Sequence, residues 1–472
     1  MQDSTFPELL QHLFDLLQAH RSAFRQERTF RRAIGLLLAE VWVFARHTVT
    51  QALLALGWTS SDWSAWYRLF SRQRFEEEEL SRCLLAQTLT HVPEAEPYVI
   101  GLDGVQVPRC SQKMPGTSWL KNPRTPPFKP GIHRAQRFVH GGWLLPIQRG
   151  YSRALPLRWL PAFPHKAVPA EAPNCTEWQA GLQVLHWLRK GLDALQRTSQ
   201  LVLAVADDSY DVVECWQGLP ERTVLAVRTA KNRALYALPP AYSGRGRRRK
   251  YGAHVAAPAE WLHQAEGWQT HELEVRGRCL SLVYRVEGPY LRQRLAERPL
   301  FLIVVRGNTW GVGKQARQRR YRQPAFYLVA AARVGDTWQL PLPAPTLLAW
   351  LWQRWELEVT HRELKSGFGL GEKQCWNARS AVLSVQWSAW VYAVLVLAGF
   401  RTWGLFDGPK TPGRWWPGAA RWSFSTLWRG YRAALWGTRD FRPSWQGTSD
   451  NWLKKANWLQ GLQNAVAGST RT

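Results

Sequence analysis

Acidic residues are in short supply in this chain: Asp and Glu number 35 against 62 Lys plus Arg, which leaves a formal charge of +27 over 472 residues. That imbalance excludes an acidic solubiliser. Self-repulsion of this size opposes compaction, so the surplus points to a polyanionic partner, nucleic acid first and an anionic membrane surface second. Methionine is nearly absent, with 2 residues. Cysteine is sparse, and Cys83, Cys110, Cys175, Cys215, Cys279 and Cys375 stand singly. With no CxxC pair and no neighbouring His at zinc-finger spacing, neither a structural zinc nor a disulfide framework is expected, and a reducing compartment is. The first twenty residues lack the basic start and apolar stretch of a secretory signal. Long uncharged runs are missing too, except for residues 381–400, which are about long enough to cross a bilayer. Ser384, Gln386 and Ser388 interrupt that run and no second one accompanies it, so a buried core helix is expected and no membrane partner. What remains is 45% hydrophobic and holds 29 Trp, ample for two or three folded domains.

Residues 1–95 read as helical. Leu9, Leu10, Leu13, Leu16 and Leu17 recur at helical spacing after a start signal at Ser4 or Thr5. A short helix over 48–56, a turn at Gly57 and a capped helix to about Ser71 outline either a helix-turn-helix or an ordinary helical hairpin. In the first case Arg68 and Arg72 would meet DNA. Residues 98–102 form an apolar strand that runs into Asp103, and residues 201–206 form another that ends at Asp207 and Asp208. Between them, 108–140 reads as a basic loop carrying Lys121, Arg124, Lys129, His133 and Arg134, and 176–198 as an amphipathic helix. Strands then dominate over 220–345, at 223–228, 272–275, 280–286, 300–306 and 325–331. They are separated by basic loops that hold Arg247, Arg248, Arg249 and Lys250, then Arg319 and Arg320. Each loop either tracks phosphates or is simply solvated. From Leu347 the chain is helical again.

Over 354–365 the composition is helical, and at about 100° per residue Arg354, Glu358, His361 and Lys365 share one face while Glu356 and Glu363 lie opposite. Two strand-end aspartates and a helical glutamate make a candidate site for hard divalent cations, which accept carboxylate oxygens and leave room for phosphate. Carboxylates gathered without such ions would repel strongly.

Residues 98–103, the stretch Val205-Ala-Asp207-Asp-Ser-Tyr210, and Arg354-x3-Glu358-x6-Lys365 resemble the successive motifs of DDE transposases, the Asp-Asp-Glu recombinases of bacterial insertion sequences. The interval from Asp207 to Glu358 resembles the branch that inserts a mainly β domain before the Glu helix. The resemblance implies an α/β RNase H-like catalytic core interrupted by a mainly β insertion, with helical N- and C-terminal regions. The corresponding divisions are 1–95, 96–219, 220–345, 346–400 and 401–472. It implies that Asp103, Asp207 and Glu358 are catalytic and bind two Mg2+ ions, with Mn2+ as a substitute. Tyr210 favours Asp207 over Asp208, because the family pattern places an aromatic three residues on. Arg354, His361 and Lys365 would bind DNA. A Tyr common in the family three residues before the Arg is replaced by Leu351, so the DNA contact of that Tyr is absent or moved to Trp352. Trp310 or Trp338 would stack a flipped base, though packing is the commoner fate of such residues. The expected activity is cleavage at transposon ends and strand transfer into target DNA. The partners would be double-stranded DNA (terminal inverted repeats and target) and a second copy of the chain when DNA-bound. The setting would be the bacterial cytoplasm, at the nucleoid. The alternatives are a catalytically inactive domesticated DNA-binding protein and an RNase H-fold nuclease without strand transfer.

Overall fold

A computed structural model describes residues 7–60, 62–111, 113–122, 125–126, 128–167, 174–242, 244, 246–312, 318–375, 377–409 and 421–437, and of 308–321 the backbone alone. The chain opens with helices α1 (Glu8–Ala19), α2 (Glu27–Trp42), α3 (Val49–Ala55), α4 (Ser64–Ser71) and α5 (Glu77–Leu89). The five leucines picked out by spacing are the buried face of α1; the start signal at Ser4 or Thr5 lies outside the described residues. Thr48 caps α3 by accepting from the Gln51 amide, which satisfies a donor that the first helical turn leaves open.

The strands follow as β1 (Tyr98–Pro108), β2 (Ser118–Lys121), β3 (Ile132–Leu144) and β4 (Ala154–Pro161), then helix α6 (Glu177–Ala194), β5 (Val202–Ala206), α7 (Val213–Gln217) and β6 (Thr223–Arg228). After them come β7 (Gln269–Val275), β8 (Arg278–Arg292), β9 (Leu295–Val305), β10 (Asn308–Val312), β11 (Gln318–Arg322), β12 (Ala325–Ala330), β13 (Ala332–Val334) and β14 (Thr337–Gln339). One large mixed sheet runs in the order β2-β3-β1-β5-β6-β12-β9-β8-β7, with β4 also paired to β3. Pairing is antiparallel among β1, β3 and β4 and parallel among β1, β5 and β6. It is antiparallel again from β6 through β12 to β7. The parallel strands β5 and β6 are buried almost throughout, as the uninterrupted apolar run predicts for a sheet covered on both faces.

Three sequence expectations change. The stretch 108–140 contains two strands rather than one basic loop: its Pro and Gly mask an alternating ribbon that pairs with β1. Asp103 therefore lies inside β1, not at its end. The β-rich stretch after 220 does not stand apart as a sheet of its own, because β12 zips onto β6 and continues the central sheet. An unpaired β6 edge would otherwise expose a row of backbone donors and acceptors. The segment 314–322 ends as β11, paired to β10.

Helices α8 (Ala344–Gln353), α9 (Trp355–Arg362), α10 (Ala378–Trp403) and α11 (Phe424–Gly437) close the described chain. The uncharged run falls in α10, whose most apolar window is 89% buried, so it is a core helix as expected. A polar knot ties it to the N-terminal helices. Lys373 Nζ lies 3.0 Å from Glu40 Oε1 on α2, and the Trp387 indole on α10 donates to the same oxygen at 2.8 Å. Both charged side chains are almost fully buried. Removing one member of such a pair strands the other charge in the core. Glu40→Ala is expected to cost about 3–5 kcal/mol of stability, read as a lowered midpoint in chemical denaturation.

Candidate active site

Two glycines set the height of α9 above the sheet. A Cβ on Gly101 of β1 would lie 2.7 Å from Leu357, and one on Gly142 of β3 would lie 2.8 Å from it. Their absence lets the Leu357 side chain sit directly on the strands, which brings the next residue, Glu358, over Asp103.

The helical segment is not continuous. α8 ends and α9 begins at Arg354, and residues Glu363–Gly367 form a π turn. Arg354 thus stands at a junction with its guanidinium turned to the sheet. It lies 2.7 Å from Glu358 Oε1 and 3.4 Å from Asp103 Oδ2. The Asp103 carboxyl, only 8% exposed, is pushed up to about 7 by burial, although Arg354 pulls the other way. Asp207, Glu358 and Glu177 add to the rise. Burial would lower the Arg354 pKa, but the carboxylates of Asp103 and Glu358 outweigh it and raise it. The structure therefore brings Asp103, Asp207 and Glu358 into one electrostatic neighbourhood.

Glu177 is a fourth carboxylate there, and the sequence reading did not single it out. Ser209 Oγ donates to Glu177 at 3.0 Å and to Asp207 at 2.6 Å. Glu177 fills the space above Gly104, where a Cβ would meet its carboxyl group at 2.4 Å. Burial raises its pKa, and Asp207 adds to this against Arg137 and Ser209. Asp207 caps the short helical turn Asp208–Tyr210 by accepting from the Ser209 amide. Its neighbour Asp208 is exposed.

His361, expected to bind DNA, is largely buried. Its face of α9 packs onto β3 and β4, where it hydrogen-bonds His140 at 3.0 Å and meets Trp159 edge-on. Burial pushes the His140 pKa down to about 3, and burial together with nearby charges takes that of His361 well below its usual value. Both rings are therefore neutral at neutral pH. His361 Nδ1 lies 3.9 Å from Asp103 Oδ2, so it is a neighbour of the site. Glu356, buried, and Glu363, half-buried, are ion-pair partners on the far side. Glu356 holds Arg276 and Arg421, and Glu363 holds Arg153. Lys365 is half-buried and near enough for its charge to act on His361.

The profile of the DDE superfamily endonucleases matches residues 12–279, more than half of the chain. The chain belongs to that family. In this DDE superfamily endonuclease the matched span carries Asp103, Glu177 and Asp207 and ends before Arg354 and Glu358. No curated protein matches the chain.

The other predicted residues scatter. Arg68 pairs with Asp62 at 3.6 Å, and Arg72, at the end of α4, is exposed. Lys121 and Lys129 are exposed, and Arg134 on β3 donates to Thr117 at 2.8 Å. Arg247, Arg248, Arg249 and Lys250 lie in an exposed loop. Arg124 and the side chains of Arg319, Arg320 and Trp310 lie outside the described residues. Trp338 is half-buried on β14 with Arg333 over its ring. Trp352 is covered by Arg322 at 3.7 Å from the ring centroid, and Leu351 is buried.

Because the Asp103 pKa in the folded protein lies above its ordinary value of about 4, its neutral form favours folding. That contribution is present below about pH 4 and is lost as pH rises through about 7. Burial lowers the pKa values of His20, His91, His140 and His361, which add stability in the opposite direction over the same range. The Asp103 contribution is therefore read as a difference. With divalent ions chelated, Asp103→Asn is expected to gain on the wild-type protein between pH 4 and 8 by at most about 4 kcal/mol, as thermal melts of both proteins would record.

Proposed function

We propose that this chain is a DNA transposase that cleaves at the ends of a mobile element and transfers the resulting 3′-hydroxyl into target DNA. The observation that carries the reading is the bridge of Arg354 between Asp103 and Glu358, beside Asp207. Those are the residue types and intervals of the resemblance, drawn together from positions 251 and 4 residues apart in the chain. The strand order β4-β3-β1-β5-β6, with helices in the parallel crossovers, supports an RNase H-like core, and β7 to β14 stand where the β insertion is expected.

Whether the residues fit a divalent cation is decided by their chemistry. Burial raises the Asp103 pKa, and Asp207, Glu358 and Glu177 add to the rise against Arg354, which suits a hard cation with oxygen ligands. In the geometry described, no group of three or more His, Cys, Asp or Glu side chains among the described residues is close enough to hold an ion. Arg354 occupies the gap between Asp103 and Glu358. In this reading Asp103, Asp207 and Glu358 would hold two Mg2+ ions, with Mn2+ as a substitute and Glu177 supporting them through Ser209. Bound there, the ions would supply Lewis-acid stabilisation of the attacking and leaving oxygens of phosphoryl displacement.

The protein's own groups have separate tasks. Arg354 and Lys365 hold phosphate oxygens once DNA enters, Arg354 exchanging a carboxylate for a phosphate at similar geometry. The neutral His140–His361 pair keeps water from the back of Asp103. Water attacks the phosphodiester at the element's end and a 3′-hydroxyl leaves; that hydroxyl then attacks the phosphorus of a target phosphodiester, joining to it as the target strand's own 3′-hydroxyl leaves, so no covalent enzyme intermediate is required. The partners are double-stranded DNA, as terminal inverted repeats and as target, and a second copy of the chain on DNA, in the bacterial cytoplasm. The basic surface at α2 and α4 suits the DNA contact. Burial and the nearby Arg28, Arg74 and Arg68 lower the Arg32 guanidinium pKa there, as expected of crowded cations.

Asp103→Asn, Asp207→Asn and Glu358→Gln are each expected to abolish Mg2+-dependent cleavage of an end-bearing duplex while filter binding to that duplex persists. Asp208→Asn keeps substantial activity. A pre-cut end with a free 3′-hydroxyl should give joined product. Cleavage without joining would leave a plain nuclease, and binding with neither would leave an inactive DNA-binding protein. Glu177→Gln is expected to weaken Mn2+ binding about tenfold in calorimetry.

A further inference from the structure

The ribbon formed by β2, the start of β3 and the loop that joins them, which holds Phe128 and Lys129, carries large apolar side chains in open solvent. Trp119 is 59% exposed, Phe128 88% and Ile132 70%. Isolated exposed apolar residues are ordinary, but three on one short ribbon, interleaved with the exposed cations Lys121 and Lys129, need an occupant. The mixture of basic and apolar groups selects a polyanion that also offers flat apolar faces, which is the chemistry of nucleic-acid bases beneath their phosphates.

Register ties this ribbon to the active site. Asp103 is the cross-strand partner of His140, while Trp119 pairs with Arg134 and Lys121 with Ile132. Positions 140, 134 and 132 of β3 differ by even numbers, so Trp119, Lys121 and Ile132 share the sheet face on which Asp103 lies. Six residues of strand separate His140 from Arg134, roughly 20 Å or about six base steps. Between them Gln136 is fully buried, held by Arg109 and the Pro115 carbonyl. The face is thus covered in the middle and open at the ribbon.

We propose that the β2–β3 ribbon is a wedge that inserts Trp119 and Phe128 between base steps of duplex DNA about six base pairs from the scissile phosphate. In this role Lys121 and Lys129 hold the flanking backbone. The proposal rests on the reading of the chain as a DNA-cleaving transposase and adds to it a surface that opens or kinks the duplex. Apolar side chains inserted in this way unstack a step and bend the helix. The basic neighbours confine insertion to DNA already held by its phosphates.

The test uses end-bearing duplexes with 2-aminopurine placed one base step at a time along the eight base pairs beside the cleavage position. It is first run in EDTA, so that the result does not depend on cleavage. Wild-type protein is expected to raise the fluorescence at one or two adjacent steps near the sixth. Trp119→Ala with Phe128→Ala removes that rise and weakens binding roughly ten- to hundredfold, whereas Trp119→Phe retains most of both. Unchanged melting temperature in these exposed-site variants separates the effect from misfolding. With Mg2+, a duplex mismatched at the responsive step restores cleavage to the double variant. The proposal is overturned if the double variant binds and unstacks DNA like wild type. It is also overturned if the variants lose self-association while DNA fluorescence is unchanged, which would make the ribbon a contact between copies. Failure of wild-type protein to cleave with any divalent ion counts against the transposase reading alone, because the EDTA measurements score the wedge independently.

Discussion

A buried carboxylate beside other carboxylates must hold a proton or have a cation fixed next to it, and in this protein the guanidinium of Arg354 is that cation. Its placement reaches well beyond the pair it bridges. Arg354 sits where α8 yields to α9, so its side chain leaves the helix surface toward the sheet. Leu357 then packs into the space left by Gly101 and Gly142, which fixes how far Glu358 stands from Asp103. A side chain at either glycine would collide with Leu357 and force it off the strands. The guanidinium that balances the acids without ligand also matches phosphate, so it can pass from one partner to the other as DNA and cations arrive.

The acids on the two sides of the Glu358-bearing segment do different work. Those facing the sheet form the site. Glu356 and Glu363, facing away, pair with Arg421, Arg276 and Arg153, and Glu363 also accepts from the Tyr392 hydroxyl on α10. Such pairs add little net stability over apolar packing, but they are directional. Arg153 reaches Glu363 while donating to the Trp422 carbonyl, and Arg421 reaches Glu356 while donating to the Ser152 carbonyl. The segment is held in rotation about its axis as well as in depth, which is what a constellation that must converge on one phosphate requires.

Periodicity made the Arg354–Glu358 face legible, because a helix converts sequence spacing directly into direction. The apolar strands leading to Asp103 and Asp207 were legible for a similar reason: a run of Val, Leu and Ile with no charge has few places to go but a covered sheet. What periodicity could not supply was depth. His361 shares the face of Arg354, yet it is buried because β3 and β4 happen to present His140 and Trp159 there. Glu177 was hidden for the opposite reason. An acid in the first turn of a helix reads as a partner of the helix dipole, and nothing local reports that Ser209, 32 residues away, joins it to Asp207. The β2–β3 ribbon was read as loop because its prolines, glycines and cations obscure an alternation that pairing with β1 enforces.

The strands after β6 have a part in the site that their position in the chain does not suggest. They extend the central sheet through β12, yet the turn between β7 and β8 curls back to its other half. The Arg276 amide donates to the Gly150 carbonyl and the Tyr151 hydroxyl donates to the Arg276 carbonyl, while the Arg276 side chain reaches Glu356 on α9 at 3.3 Å. A Cβ on Gly150 would strike the Glu274 carbonyl oxygen, so that glycine admits the close approach. The added strands therefore brace, from the side away from Asp103, the helix that carries Glu358. A change anywhere along β7 to β9 that shifted this turn would move Glu356, and through one helical segment Glu358, without touching a residue of the site.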